Sequence, residues 1–455
     1  MRLFAPTARL PQGWTDDVLI ETDARGVIVR ITPGGDSVGA EPLTGPVIPA
    51  IPNLHSHAFQ RAMAGLGETR TGEGDDFWSW REVMYRFLDH ITPDDLEAIA
   101  AHLYVEMVEA GYSRVVEFHY VHNDPAGRPY ADPIETARAH IRAAKTAGIG
   151  LTLAPVLYSH ANFGGVPPKP GQRRFIQTTD AYLAQVEALA REAEGGAFDL
   201  ALSLHSLRAV TPDQITAVLA GADPALPVHI HVAEQTREVE DCLAWSGQRP
   251  VDWLNRHLGL DDRWRLVHAT HMTPAEAAET AATGAVAVLC PTTEGNLGDG
   301  FFPADAWLGA GGVFGIGTDS HVTIDPREEL RWFEYGRRLQ ARKRGLAATS
   351  SQPHPGARLW LDAASADDRG GGAATGVLAP GKRADFLVLN AEHPNLVGRT
   401  GDAWLDALVF VSGPGPSPIL QTWVGGRRLT EAGRHPQAQS TQAAYVRTLK
   451  RLAAK

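Results

Sequence analysis

The chain is predicted to fold as an α/β protein, a (β/α)8 TIM-like barrel with a small β-sandwich domain built from both termini. Three observations predict it. Eight apolar, β-rich segments recur between residues 48 and 321, amphipathic helix patterns separate them, and both ends of the chain read as short strands and turns. The eight segments are 48–57, 113–122, 148–160, 199–209, 226–234, 265–271, 285–294 and 313–321. Each opens with a near-continuous apolar run, the pattern of a strand buried on both faces. Strands alternating with helices indicate a parallel sheet, and eight of them favour closure into a barrel. The alternative is an open doubly wound sheet, weakened because no Gly-x-Gly-x-x-Gly turn follows the first segment.

The helices follow from period and caps. DDLEAIAAHLYVEMVEAG (94–111) and DAYLAQVEALAREAEG (180–195) are amphipathic, and Thr and Asp cap signals mark the second and the stretch 211–221. At the N-terminus, residues 2–47 hold a hairpin pattern around Asp23–Gly26, and ADFLVLN and ILQTWVGGRRLT supply strands within 376–430. The expected division is therefore 1–47 plus 376–430 as the small domain, 48–375 as the barrel, and 431–455 as a final surface helix. Two long connections, 58–92 with Trp78 and Trp80 and 159–179 rich in Gly and Pro, read as lids or binding loops.

Composition narrows the function. The 455 residues carry 44% hydrophobic and 21% charged side chains, enough for a large core. A net charge of −11 argues against nucleic acid or an anionic membrane as the main partner. Cys242 and Cys290 are the only cysteines, which excludes a disulfide framework and all but excludes a Cys-based zinc site. No apolar run approaches the roughly 20 residues that span a bilayer, and the opening lacks a signal-peptide core, so a cytoplasmic location is expected.

The 18 histidines carry the chemistry. His-x-His pairs alone mean little at that frequency. Position means more, because His55, His57, His119, His122, His160, His205, His229, His231, His268, His271 and His321 all fall at or just past predicted strand ends. In a barrel those ends converge on one face, where catalytic groups collect. His55 and His57 flank Ser56 and point the same way along a strand. With His231 and Asp319 they make three imidazoles and a carboxylate, a set suited to a catalytic divalent cation such as Zn²⁺. His268 is a fourth nitrogen ligand or a polarising neighbour, and Glu234, three residues past His231, is the acid/base candidate.

PNLHSH, HVAE, VHATH and GTDSH, taken in order with the C-terminal GVLAPGKRADFLVLN, resemble the amidohydrolase superfamily across nearly the whole chain. The resemblance implies that family's barrel. Binuclear members bridge their metals with a carboxylated lysine from the fourth strand, but no lysine occurs between Lys169 and Lys343. The mononuclear deaminase branch remains, and His231-Val-Ala-Glu234 fits it. NLHSHAFQRAMAG, FWSWREVMYR, EFHYVHND, LHSLRAVTP and HIHVAEQ are similar to its members that act in bacterial histidine degradation. They imply hydrolysis of N-formimidoyl-L-glutamate to N-formyl-L-glutamate and ammonia, one zinc ion per subunit and a homodimer.

That resemblance implies Gln60, Arg81, Tyr120, His205 and Arg208 as substrate-binding residues, and Glu234, His268 and Asp319 as catalytic ones. Two guanidinium forks suit a small dicarboxylate partner, since they pair with carboxylates bidentately. A nucleobase deaminase would share every ligand and is separated only by those arginine-bearing segments. Cys290, at the end of the seventh segment, reads as a buried structural cysteine rather than a nucleophile.

Overall fold

The computed structural model describes residues 1–68 and 77–454. Eight parallel strands close a barrel: Ile51–Ser56, Tyr112–His119, Gly150–Leu157, Leu202–Ser206, Val228–Val232, Trp264–His268, Val286–Leu289 and Val313–Ile316. Closure is complete, because the fourth strand pairs with the third (Ser203 opposite Val156) and the eighth with the first (Ile316 opposite Asn53). The two-residue strand Asp199–Leu200 pairs with the third strand beside the fourth. As the apolar runs predict, the first three barrel strands are buried at every residue.

Both termini build the second sheet. Its order runs Arg427–Arg428, Ile419–Val424, Phe386–Leu389, Val47–Pro49, Arg2–Leu10, Gly13–Thr22 and Ile28–Thr32, with Glu41–Pro42 beside Arg2–Leu10. Buried and more exposed residues alternate along Arg2–Leu10, the signature of a sheet with one wet face. The predicted hairpin pairs Thr22 with Ile28 around Asp23, whose carboxylate accepts from Arg25 N and Val27 N.

Two local outcomes differ from the sequence pattern. The first apolar segment, 48–57, is divided: Val47–Pro49 belongs to the terminal sheet and Ile51–Ser56 to the barrel. An apolar run does not report which sheet its hydrogen bonds join. Within 376–430, where strands and turns are expected, Asp402–Phe410 is a helix. The predicted helices occur as Pro93–Ala110, Thr179–Ala193 and Pro212–Gly221, capped by Thr92, Thr178 and Thr211. The final helix is Ala438–Ala453. Of the long connection 58–92, residues 69–76 and the side chain of Trp78 lie outside the described residues. The rest forms the 3₁₀ turn Ala58–Met63, the shorter Leu66–Glu68 and the helix Phe77–Leu88.

Candidate metal centre and its cavity

Several of the strand ends that carry reactive groups hold the backbone in unusual conformations. Five of the non-glycine residues with positive φ, Ala233, His268, Ala269, Asp319 and His321, lie at or just past the ends of the fifth, sixth and eighth barrel strands. Such conformations cost on the order of 1–3 kcal/mol each and persist only where neighbours over-determine them. At Asp319 the neighbours are explicit. Thr318 N and Asp319 N both donate to His55 O, at 3.1 and 3.0 Å, and His57 N donates to Asp319 O at 3.2 Å. Asn53 locks the same joint, its amide donating to Thr318 Oγ1 at 2.6 Å. Gly317 permits the approach: a Cβ there would sit 2.6 Å from His55 Cβ and 2.8 Å from its carbonyl oxygen.

Those constraints bring His55, His57, His231 and Asp319 together. His55 Nε2 lies 3.1 Å from His57 Nε2 and 3.0 Å from His231 Nε2. Asp319 Oδ1 is 3.4 Å from His55 Nε2 and 3.3 Å from His57 Nε2. The proton count is decisive. His57 Nδ1 faces Phe118 O at 3.0 Å and His231 Nδ1 faces His205 O at 3.0 Å. Carbonyls only accept, so each Nδ1 bears the hydrogen and each Nε2 presents a lone pair to its neighbours.

Burial keeps these rings neutral. It pushes His55 and His231 well below the usual imidazole range and, with the His55 charge as a lesser cause, His57 to about 3. Lone pairs and a carboxylate facing one another at these separations fit a divalent cation, with edges near the roughly 3.3 Å of a tetrahedral zinc site. His268 forms a second three-donor group with His55 and His231.

His268 sits among carboxylates. Its Nε2 is 3.7 Å from Glu234 Oε1 and 3.8 Å from Asp319 Oδ2, and its Nδ1 is 3.2 Å from Glu294 Oε1. Burial opposes charge on this ring, but Glu234 and the Glu294 hydrogen bond more than offset it and its pKa is raised. Burial likewise raises Glu234 toward the protonated form, opposed by His268. A carboxyl raised to about 7 beside the cluster can take up and give back a proton near neutral pH.

The remaining sequence candidates line the same cavity. Gln60, Arg81, Tyr120, His205 and Arg208 face it together with His57, His231, Glu234, His268 and Asp319. Gln60 Nε2 donates to Tyr120 OH at 3.1 Å. Arg81 and Arg208 are only 8% and 4% exposed, so neither is a solvated surface residue. The Arg81 guanidinium carbon lies 5.6 Å from the Tyr85 ring centre.

Other histidines at strand ends serve the frame instead. His119 pairs with Thr136, His122 with Val156 O and Gln185, and His321 with Thr318 and Ser56. Cys290 is fully buried and burial raises its thiol well above the usual range, as an inert structural cysteine requires.

Sequence reasoning misses several contributors. Glu294 fixes His268, and Tyr85, Tyr158 and Phe175 wall the cavity. Glu117, under the His-Ser-His segment, accepts from Ser56 Oγ at 2.7 Å, Ala58 N at 2.8 Å and Tyr104 OH at 2.9 Å. Glu238 accepts from Ala233 N and Glu234 N. Glu238 and Glu294 leave a trace in the text, as acidic residues in the first turns of the helices Thr236–Ser246 and Pro291–Leu297. The others reach the site through tertiary packing.

Residues 47–429 match the amidohydrolase family. The chain is 51% identical over 447 residues, 98% of each protein, to a formimidoylglutamate deiminase of Pseudomonas aeruginosa. It is 26% identical over 365 residues, 77% of this chain and 76% of the other, to an 8-oxoguanine deaminase of the same organism. Among solved structures, an amidohydrolase from Brucella melitensis superposes with a TM-score of 0.93 at 44% identity, covering 99% of both chains.

Proposed function

This chain belongs to the amidohydrolase family, and from that membership and the cavity we propose that it hydrolyses N-formimidoyl-L-glutamate to N-formyl-L-glutamate and ammonia. The reaction belongs to bacterial histidine degradation. One observation carries the choice of substrate: two buried arginines share a single cavity with the His/Asp cluster. A diacid with a formimidoyl head needs cations at one end and a hydrolytic centre at the other. The relative at 51% identity supports the same reading.

We assign His55, His57, His231 and Asp319 as ligands of one divalent cation, with zinc the best match to three nitrogens and one oxygen. A cation held there would act as a Lewis acid and supply hydroxide near neutral pH by lowering the pKa of water to about 7. Arg208 and Arg81 hold the carboxylates of the substrate, with Gln60, Tyr120 and His205 completing its polar contacts. Asp319 takes the proton of the attacking water. His268 orients that water by a hydrogen bond. Glu234 then gives its proton to the departing nitrogen, so that a C–O bond forms, the C–N bond to the terminal nitrogen breaks, and ammonia leaves. Arg208, kept charged by Glu238 and Glu234 in spite of burial, suits its task.

The homodimer implied by the sequence resemblance and the cytoplasmic location expected from the sequence belong to this reading, and light scattering of the purified protein tests the dimer. The activity test is ammonia release from N-formimidoyl-L-glutamate by zinc-loaded protein, with a nucleobase panel alongside. Release with N-formyl-L-glutamate as co-product is expected. Turnover of a heterocycle with silence on the formimidoyl diacid would keep the metal set and discard the carboxylate roles of Arg81 and Arg208.

A further inference from the structure

Glu238 is fully buried, and so far it has served only to keep Arg208 charged. It stands in the first turn of the helix Thr236–Ser246, where its carboxylate turns back over the helix start. Oε1 accepts from Ala233 N at 3.0 Å. Oε2 accepts from Glu234 N at 3.3 Å and also lies 3.7 Å from Arg208 Nε. One carboxylate oxygen therefore faces both the backbone of the acid/base residue and the guanidinium assigned to the substrate's carboxylate. Ala233, between them, is held at φ 50°, a conformation that an alanine adopts only when its neighbours impose it.

We infer that Glu238 is a positioning residue that couples carboxylate recognition at Arg208 to the placement of Glu234. The reason is geometric and electrostatic. A buried carboxylate needs its charge balanced, and Arg208 is the cation that faces it. When a substrate carboxylate engages Arg208, the guanidinium is shared between two anions. Glu238 Oε2 then leans harder on Glu234 N, tightening the turn that presents Glu234. Binding energy from the end of the substrate remote from the chemistry is thereby converted into alignment of the proton donor. A mere helix cap satisfies the two backbone N–H groups but has no reason to share an oxygen with Arg208.

The inference rests on the diacid reading, and the test separates the two. Calorimetry compares glutarate with butyrate on zinc-loaded wild-type, Glu238→Gln and Arg208→Lys proteins. In parallel, kcat and KM are measured for N-formimidoyl-L-glutamate and N-formimidoyl-glycine, with metal content and Tm as controls. Wild type should prefer glutarate and turn over the diacid with the higher kcat. Glu238→Gln keeps side-chain shape and an acceptor for one backbone N–H. With one of the two anions at Arg208 neutralised it should keep the glutarate preference, while its kcat for the diacid should fall to that for N-formimidoyl-glycine at unchanged metal content. A Gln variant that keeps the kcat ratio and changes only Tm would overturn the coupling and leave Glu238 a cap. If that variant fails to fold, Arg208→Lys decides, since it keeps the charge but removes the Nε facing Glu238. Convergence of kcat supports the coupling, and an unchanged ratio overturns it. Wild type binding glutarate no better than butyrate would instead sink the diacid reading itself.

Discussion

The two halves of the cavity are built differently. The histidine half rests on barrel strand ends stitched to one another by backbone hydrogen bonds, with Thr318, Asp319 and His57 all tied across the first and eighth strands. The arginine half rests on connections: Arg81 on the helix Phe77–Leu88, Arg208 just past the fourth strand, and Phe175 in the long segment after the third. Chemistry that needs atoms held within tenths of an ångström sits on the rigid part, while recognition sits on the parts free to vary. On this comparison, a change in the first half should damage turnover or metal retention, and a change in the second should damage affinity.

The largest effect tests the first half. Glu234→Gln should retain its metal and lose about 10²–10⁴-fold in kcat, the usual contribution of one acid/base. Metal analysis beside steady-state kinetics checks it, and retained turnover would remove Glu234 from the role. Next, Gly317→Ala should force the first and eighth strands apart, because the new Cβ meets backbone rather than a flexible side-chain end. We expect a stability loss of about 1–3 kcal/mol, read by denaturant unfolding, together with weaker zinc retention under a competing chelator.

In the second half, Arg208→Ala should raise KM for the diacid roughly 10–100-fold, as expected for a charge-assisted hydrogen bond of about 1.5–3 kcal/mol, with metal content unchanged. Unchanged KM and kcat would break the comparison. The smallest effect concerns the frame. Burial raises Glu117 from 4.5 to about 7, against the hydrogen bonds from Ala58, Ser56 and Tyr104. The folded state therefore binds a proton that the unfolded chain has already released between those values. Stability should decline as pH rises from about 4.5 to about 7 and level off above, and Glu117→Gln should flatten that slope. Tm measured across this range on both proteins reads it directly.

The same contrast explains what the text reveals. His55, His57, His231, Glu234, His268 and Asp319 are legible because short intervals anchor each to the end of an apolar run. Arg208, three residues after His205, is nearly as legible. Arg81 is ambiguous in sequence, since an arginine in an amphipathic helix is usually solvated, and only packing beneath the cavity wall settles its burial. Glu117 reads as one polar residue in a strand, with nothing local to announce that three donors converge on it.

Local pattern, then, determined the elements and the order of the reactive groups. Eight apolar runs dictate eight buried strands, Thr caps dictate where helices start, and strand ends carry the histidines. Tertiary structure alone decided how the lone pairs of His57 and His231 come to face His55 at 3.0–3.1 Å. It also decided that one oxygen of Glu238 serves both Glu234 and Arg208, and that residues 47–49 leave the barrel for the terminal sheet. The physical reason is range. Propensity and periodicity act over a few residues. Proton sharing, burial and sheet choice depend on groups brought together from as far apart as His55 and Asp319, whose contact exists only once the barrel has closed.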